Sequence, residues 1–223
     1  MRQLFLAACT AFALVAPSAF AHEDAHKDTQ PGASPQAQAA KPKAAAAGTH
    51  DPRAYFTDTG FVTQDGRKVR FYTDMLKDRV VIVNVMYASC KEACPLITRQ
   101  LTEVRDDLGE LFGKTVFFVS ITSDPERDTP EALKRFAKEQ HADVAGWSFL
   151  TGSKDDVDGI LRRFGAYSEN VEEHATVLYI LDVDNKRMRR MLPNLPPKAI
   201  AEAARIIAAA DKHVASTAAP VRD

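Results

Sequence analysis

Residues 80–95 read Val80-Val-Ile-Val-Asn-Val-Met-Tyr87-Ala-Ser-Cys90-Lys-Glu-Ala-Cys94-Pro95. The opening run is apolar and rich in β-branched residues, the pattern of a strand buried on both faces. Pro95 suits the first turn of a helix, and Leu96, Ile97, Leu101, Val104, Leu108 and Leu111 then recur at helical spacing. A strand therefore delivers two thiols, Cys90 and Cys94, to the start of a helix. Free N–H groups and the positive end of the helix dipole lower a thiol's pKa there, which suits thiol chemistry or soft-metal binding.

The hydrophobic period changes repeatedly on either side of this stretch. Phe61-Val-Thr-Gln-Asp65-Gly66-Arg-Lys-Val-Arg-Phe71 sets an Asp-Gly turn between alternating segments and predicts an N-terminal β-hairpin. Downstream, Thr115–Thr122 predicts a second buried strand, and Thr129-Pro130-Glu131 begins a capped helix. A short strand at Trp147–Leu150 and a helix at Asp155–Phe164 follow. His174–Leu181, the Asp184-Asn185 turn and Arg187–Leu192 predict a closing hairpin, and Pro196–His213 the last helix. Strand, helix, strand, helix, antiparallel hairpin and covering helix is a thioredoxin-like order: an α/β fold with a central mixed sheet flanked by helices.

The ends of the chain read differently. Met1-Arg2, the apolar Leu4–Val15 and Ala19-Phe20-Ala21 are laid out as a signal peptide cleaved after Ala21, which predicts a periplasmic protein. A lipobox at Leu6-Ala7-Ala8-Cys9 is a rival reading, but it leaves only about five apolar residues where about 7–15 are needed. An uncleaved anchor is a second rival, in a stretch short of the ~20 residues that span a bilayer and broken by Pro17. Membrane association follows only if the N-terminus is anchored. Residues 22–50 are Ala, Pro, Lys, Gln and Gly with almost no bulky apolar side chain, a disordered linker by composition. The folded domain is expected at 51–213 and a flexible tail at 214–223. Net charge is −1 over 223 residues, so nothing suggests a nucleic-acid partner.

Three segments together resemble the Sco/SenC copper-binding proteins. They are Cys90-Lys-Glu-Ala-Cys94-Pro95, then Ser123-Asp-Pro-Glu-Arg-Asp-Thr-Pro130, then His174 ahead of Val177-Leu-Tyr-Ile-Leu-Asp182. The resemblance implies a thioredoxin-like fold, copper held by Cys90, Cys94 and His174, and delivery to the copper A subunit of cytochrome c oxidase or to another copper or thiol protein. The donor set agrees, since thiolate selects Cu(I) and imidazole serves copper in either oxidation state. His174 lies 80 residues beyond Cys94, so only the fold can bring it near. No proline lies between Asn170 and Asp182, which leaves free the approach that a cis-proline fills in thioredoxins.

Other readings of the same residues stay open. Cys90 and Cys94 also suit a periplasmic thiol-disulfide oxidoreductase that reduces partner cysteines, with Cys90 attacking and Cys94 resolving. A structural disulfide fits too, since positions i and i+4 lie ~6 Å apart, although so short a loop adds little stability. A peroxidase lacks the expected Thr or Ser and Pro before its cysteine. His174 is otherwise an exposed strand-start histidine, and Asp124, Asp128 and Thr129 a turn and helix cap, with an ancillary role near the copper loop open for Asp124. Met75, Met86, Met188 and Met191 read as core filler, Trp147 as core, and His22 and His26 as incidental. Lys91 stands where the commoner family motif has proline; it either stabilises the Cys90 thiolate or points to solvent.

Overall fold

In the computed structural model the apolar runs become the inner strands of one seven-stranded sheet. The structure describes residues 51–217. The expected signal peptide, linker and last residues of the expected tail lie outside them, as do His22 and His26. Among the described residues no helix is long and apolar enough to cross a membrane.

The elements in chain order are α1 (Pro52–Phe56), β1 (Gly60–Thr63), β2 (Lys68–Arg70), β3 (Val80–Met86), α2 (Ala93–Leu108), β4 (Val116–Thr122), α3 (Pro130–Glu139), β5 (Trp147–Thr151), α4 (Lys154–Phe164), β6 (Leu178–Asp182), β7 (Arg187–Met191) and α5 (Pro197–Thr217). The sheet order is β2-β1-β5-β4-β3-β6-β7. The three inner strands β5, β4 and β3 are parallel and joined through helices, whereas β1, β6 and β7 add antiparallel edges. This is the expected central mixed sheet. The predicted hairpin is also present: β1 and β2 pair across a turn in which Gly66 takes φ +76°, a conformation that costs glycine little.

Alternation along β3 feeds two cores. Val80, Ile82 and Met86 pack with α2, α3 and α5 on one face, while Val81, Val83 and Val85 pack with Phe71, Phe164 and Tyr179 on the other. Trp147 is core as expected, its Nε1 donating to Ser120 Oγ at 3.0 Å. Met75, Met86 and Met191 fill core positions, but Met188 does not. It lies on the outer strand β7 with 59% of its surface exposed.

Two local departures from the sequence reading stand out. Phe71–Leu76 closes as a π-helical turn instead of extending the hairpin, burying Phe71, Met75 and Leu76 together. The expected strand at His174 begins only at Leu178. Residues Val171–Glu173 form a 3₁₀ turn whose N–H at Glu172 is held by the Asn170 side chain, which keeps His174 out of the sheet.

Candidate metal and thiol site

Register brings the chemistry-bearing residues to one end of the neighbouring strands β3 and β6. Asn84 of β3 pairs with Leu178 of β6, and Leu178 pairs with Met191 of β7. The chain leaving β3 into the cysteine loop therefore passes the chain entering β6 from His174. Tyr87, Cys90, Arg127, Glu172 and His174 are among the residues lining one pocket of about 700 Å³.

Cys90 sits in the loop and Cys94 in the first turn of α2, both thiols free and both buried, with Cys94 the deeper. No side chain of the N-cap residue Glu92 satisfies the helix start; the Cys94 N–H donates to Cys90 Sγ at 3.3 Å instead. Burial pushes the Cys90 thiol up, but hydrogen bonds from the Cys94 N–H, the Cys94 thiol, the Glu92 N–H and the Tyr87 hydroxyl outweigh it and hold it below its ordinary 9.0. Cys94 goes the other way. Burial pushes it up to about 12, opposed by the Tyr87 N–H and reinforced by the Cys90 sulfur and the Asp128 carboxylate. Lys91 is exposed on the pocket rim.

His174 Nδ1 lies 2.7 Å from the Val171 carbonyl oxygen. A carbonyl only accepts, so Nδ1 carries the proton, and in the neutral ring Nε2 presents its lone pair. That Nε2 is buried and is the one such side-chain nitrogen or oxygen without a hydrogen-bond partner among the described residues. An imidazole tethered through one nitrogen with the other left bare has the form of a metal ligand. Among the described residues, however, no group of three His, Cys, Asp or Glu side chains stands arranged to hold a metal ion. The two cysteines meet and His174 shares a pocket with Cys90, which Cys94 does not line, and the three do not form a closed set.

The second motif segment caps a helix as expected at Thr129, but not at Asp128. Thr129 is the N-cap of α3, accepting from the Ala132 N–H at 3.2 Å. Asp128 is instead turned inward and buried, accepting from the Ala88 N–H at 3.0 Å and the Thr122 hydroxyl at 2.5 Å. Burial pushes its carboxyl up, against those two hydrogen bonds. Asp128 thus braces the cysteine loop two residues before Cys90. Asp124, also buried, accepts from Arg127 Nε at 2.6 Å and so fixes the guanidinium that lines the pocket. The sequence reading missed Tyr87 and Arg127 as site residues, since an aromatic at a strand end and a lone arginine carry no motif of their own.

The sequence model of the SCO1/SenC family matches residues 49–209. The chain is 28% identical over 142 residues to a SCO2-like protein of Rickettsia felis, covering 59% of this chain and 67% of that protein. It is similar to BsSco, described as a member of the Sco family of cytochrome c oxidase assembly proteins in which a disulfide switch was identified. Identity is 26% and the TM-score 0.59, over 69% of this chain and 93% of that one. In fold it also matches ScoI of Arabidopsis thaliana, solved with copper bound, at 22% identity and a TM-score of 0.57 over 69% and 98% of the two chains.

Proposed function

The chain belongs to the SCO1/SenC family, and on that footing we propose that it is a periplasmic protein that binds copper through Cys90, Cys94 and His174 and delivers it to, or helps assemble, the copper A centre of a cytochrome c oxidase. The observation that carries this reading is the bare, buried Nε2 of His174 in the pocket that Cys90 lines. Two soft thiolates and one imidazole suit Cu(I) and tolerate Cu(II). Completing the three-ligand set takes an approach of His174 to the thiols, which are not yet gathered with it. Copper is here a cargo, released when a partner thiolate displaces one of the three donors.

A second reading is favoured by the asymmetry of the thiols, one held below 9.0 and the other pushed up to about 12. That is the division of labour of a thiol-disulfide oxidoreductase. The Cys90 thiolate attacks a partner disulfide, forming a mixed disulfide and releasing one partner thiolate. Cys94 then loses its proton and attacks the Cys90 sulfur, releasing the second. The partner disulfide becomes a dithiol, and Cys90–Cys94 becomes a disulfide.

His174 separates the two. The reduced protein is expected to hold one copper per chain with thiolate-to-copper charge-transfer bands that are lost in His174→Ala. No binding by a protein whose dithiol is intact would overturn the copper reading and leave the oxidoreductase, which tolerates His174→Ala.

A further inference from the structure

We propose that a second pocket, at the opposite end of β3 from the cysteines, is a binding site for a phosphate group held by Arg67, Lys68 and Arg79 together with the Ser148 hydroxyl. The inference goes beyond the copper and thiol readings and does not depend on them. Arg79 immediately precedes β3 and Cys90 follows it, and the seven residues of strand between them span roughly 23 Å.

Three parts of the chain build this pocket. The β1–β2 hairpin brings Arg67 and Lys68, the loop before β3 brings Arg79, and β5 brings Ser148; all line one concavity of about 470 Å³. Ser148 pairs with Val119 of β4, so by strand alternation its side chain stands on the same face as those of Phe117 and Val119. On that face the Arg79 guanidinium lies 4.6 Å from the Phe117 ring centroid, and its Nε donates to the Lys77 carbonyl at 3.2 Å. The two contacts hold the guanidinium in place and leave its terminal nitrogens for a ligand.

Carboxylates are the usual partners of such cations, and here they are engaged elsewhere. Asp74, the acidic residue in the lining, accepts from Arg70 through both oxygens, at 2.7 Å from the backbone N–H and at 3.1 and 2.8 Å from the guanidinium. Asp65, in the hairpin turn, accepts from Lys134 at 2.7 Å. Among the described residues the Arg67 and Lys68 side chains, the terminal nitrogens of Arg79 and the Ser148 hydroxyl have no hydrogen-bond partner or ion pair. What remains is a set of donors with three unpaired positive charges and one carboxylate already neutralised, in a chain whose net charge is −1. A phosphate offers several oxygens and more than one acceptor direction, so it meets a guanidinium fork, an ammonium and a hydroxyl at once, where a single carboxylate engages one fork. A merely solvated basic face needs neither the concavity nor a bare hydroxyl inside it.

Titration with inorganic phosphate at constant ionic strength, followed by the amide NMR shifts of Phe117 and Ser148, is expected to move both to saturation. Arg67→Gln and Arg79→Gln are each expected to weaken that binding about tenfold, the worth of one charge-assisted hydrogen bond, and Ser148→Ala about fivefold. Lys198→Gln removes an exposed cation outside the pocket and is expected to change nothing. Far-ultraviolet circular dichroism checks that each variant folds, and Arg67 and Lys198 are exposed, so their replacement spares the core. Co-sedimentation with phosphatidylcholine vesicles, with and without phosphatidylglycerol, tells two sources of phosphate apart. Retention that needs phosphatidylglycerol and is lost in the Arg67→Gln/Arg79→Gln protein assigns a lipid headgroup; saturable shifts without such retention assign a soluble phosphate. Shifts that do not saturate, that survive the Arg67 and Arg79 changes, or that fall as much in Lys198→Gln would overturn the site.

Discussion

At the scale of single residues, Cys90 and Cys94 are four positions apart yet chemically unlike, because one sulfur accepts the N–H groups of a helix start while the other is packed beneath them. Cys90 is therefore expected to alkylate at pH values below 9.0, and Cys94 to resist until the pH nears about 12. Mass spectrometry of the reduced protein across a pH series measures both, and a Cys94 that reacts first would refute the assignment. The sign for stability follows from Cys94. Its folded pKa lies above the unfolded 9.0, so its contribution is full below pH 9.0 and fades as pH climbs toward about 12. The placing of the thiol pair at a strand-helix junction was legible from position alone, since an apolar β-branched run leads into it and Pro95 with helical spacing leads out. The bare Nε2 of His174 was not, because it depends on which carbonyl the other nitrogen meets.

At the scale of elements, the cysteine loop between β3 and α2 is held from below by Asp128. Asp128→Ala leaves the half-buried Ala88 N–H and the buried Thr122 hydroxyl without their acceptor, and is expected to cost about 1–3 kcal/mol in urea unfolding. Thr129→Ala, which removes only the α3 cap, is expected to cost about 1 kcal/mol. Equal losses would mean that Asp128 acts as part of the cap and not as a brace. Sequence spacing placed both residues at the start of α3 but could not say that one faces in and the other along the helix axis. The 3₁₀ turn at Val171–Glu173 escaped for a similar reason: three residues carry no period, and their shape is set by the Asn170 side chain.

At the scale of the molecule, seven strands separate two apolar layers, and both are needed because β3 and β4 are buried on each face. Phe118→Ala, within β4 and 1% exposed, is expected to lose about 3–5 kcal/mol. Met188→Ala, on the open edge at 59% exposure, is expected to stay within about 0.5 kcal/mol of wild type. Chemical denaturation of the pair measures both, and a large loss at Met188 would mean that the edge is covered in solution. The β-branched runs, the helical spacing after Pro95 and the Asp-Gly turn settled the α/β architecture from sequence, because hydrophobic period and turn chemistry are local properties of the chain. Only the tertiary structure decided that Tyr87, Cys90 and His174 share a pocket. Cys90 and His174, 84 apart in sequence, meet through the Asn84–Leu178 register, and a strand register is chosen by the burial of whole faces, which no single segment encodes.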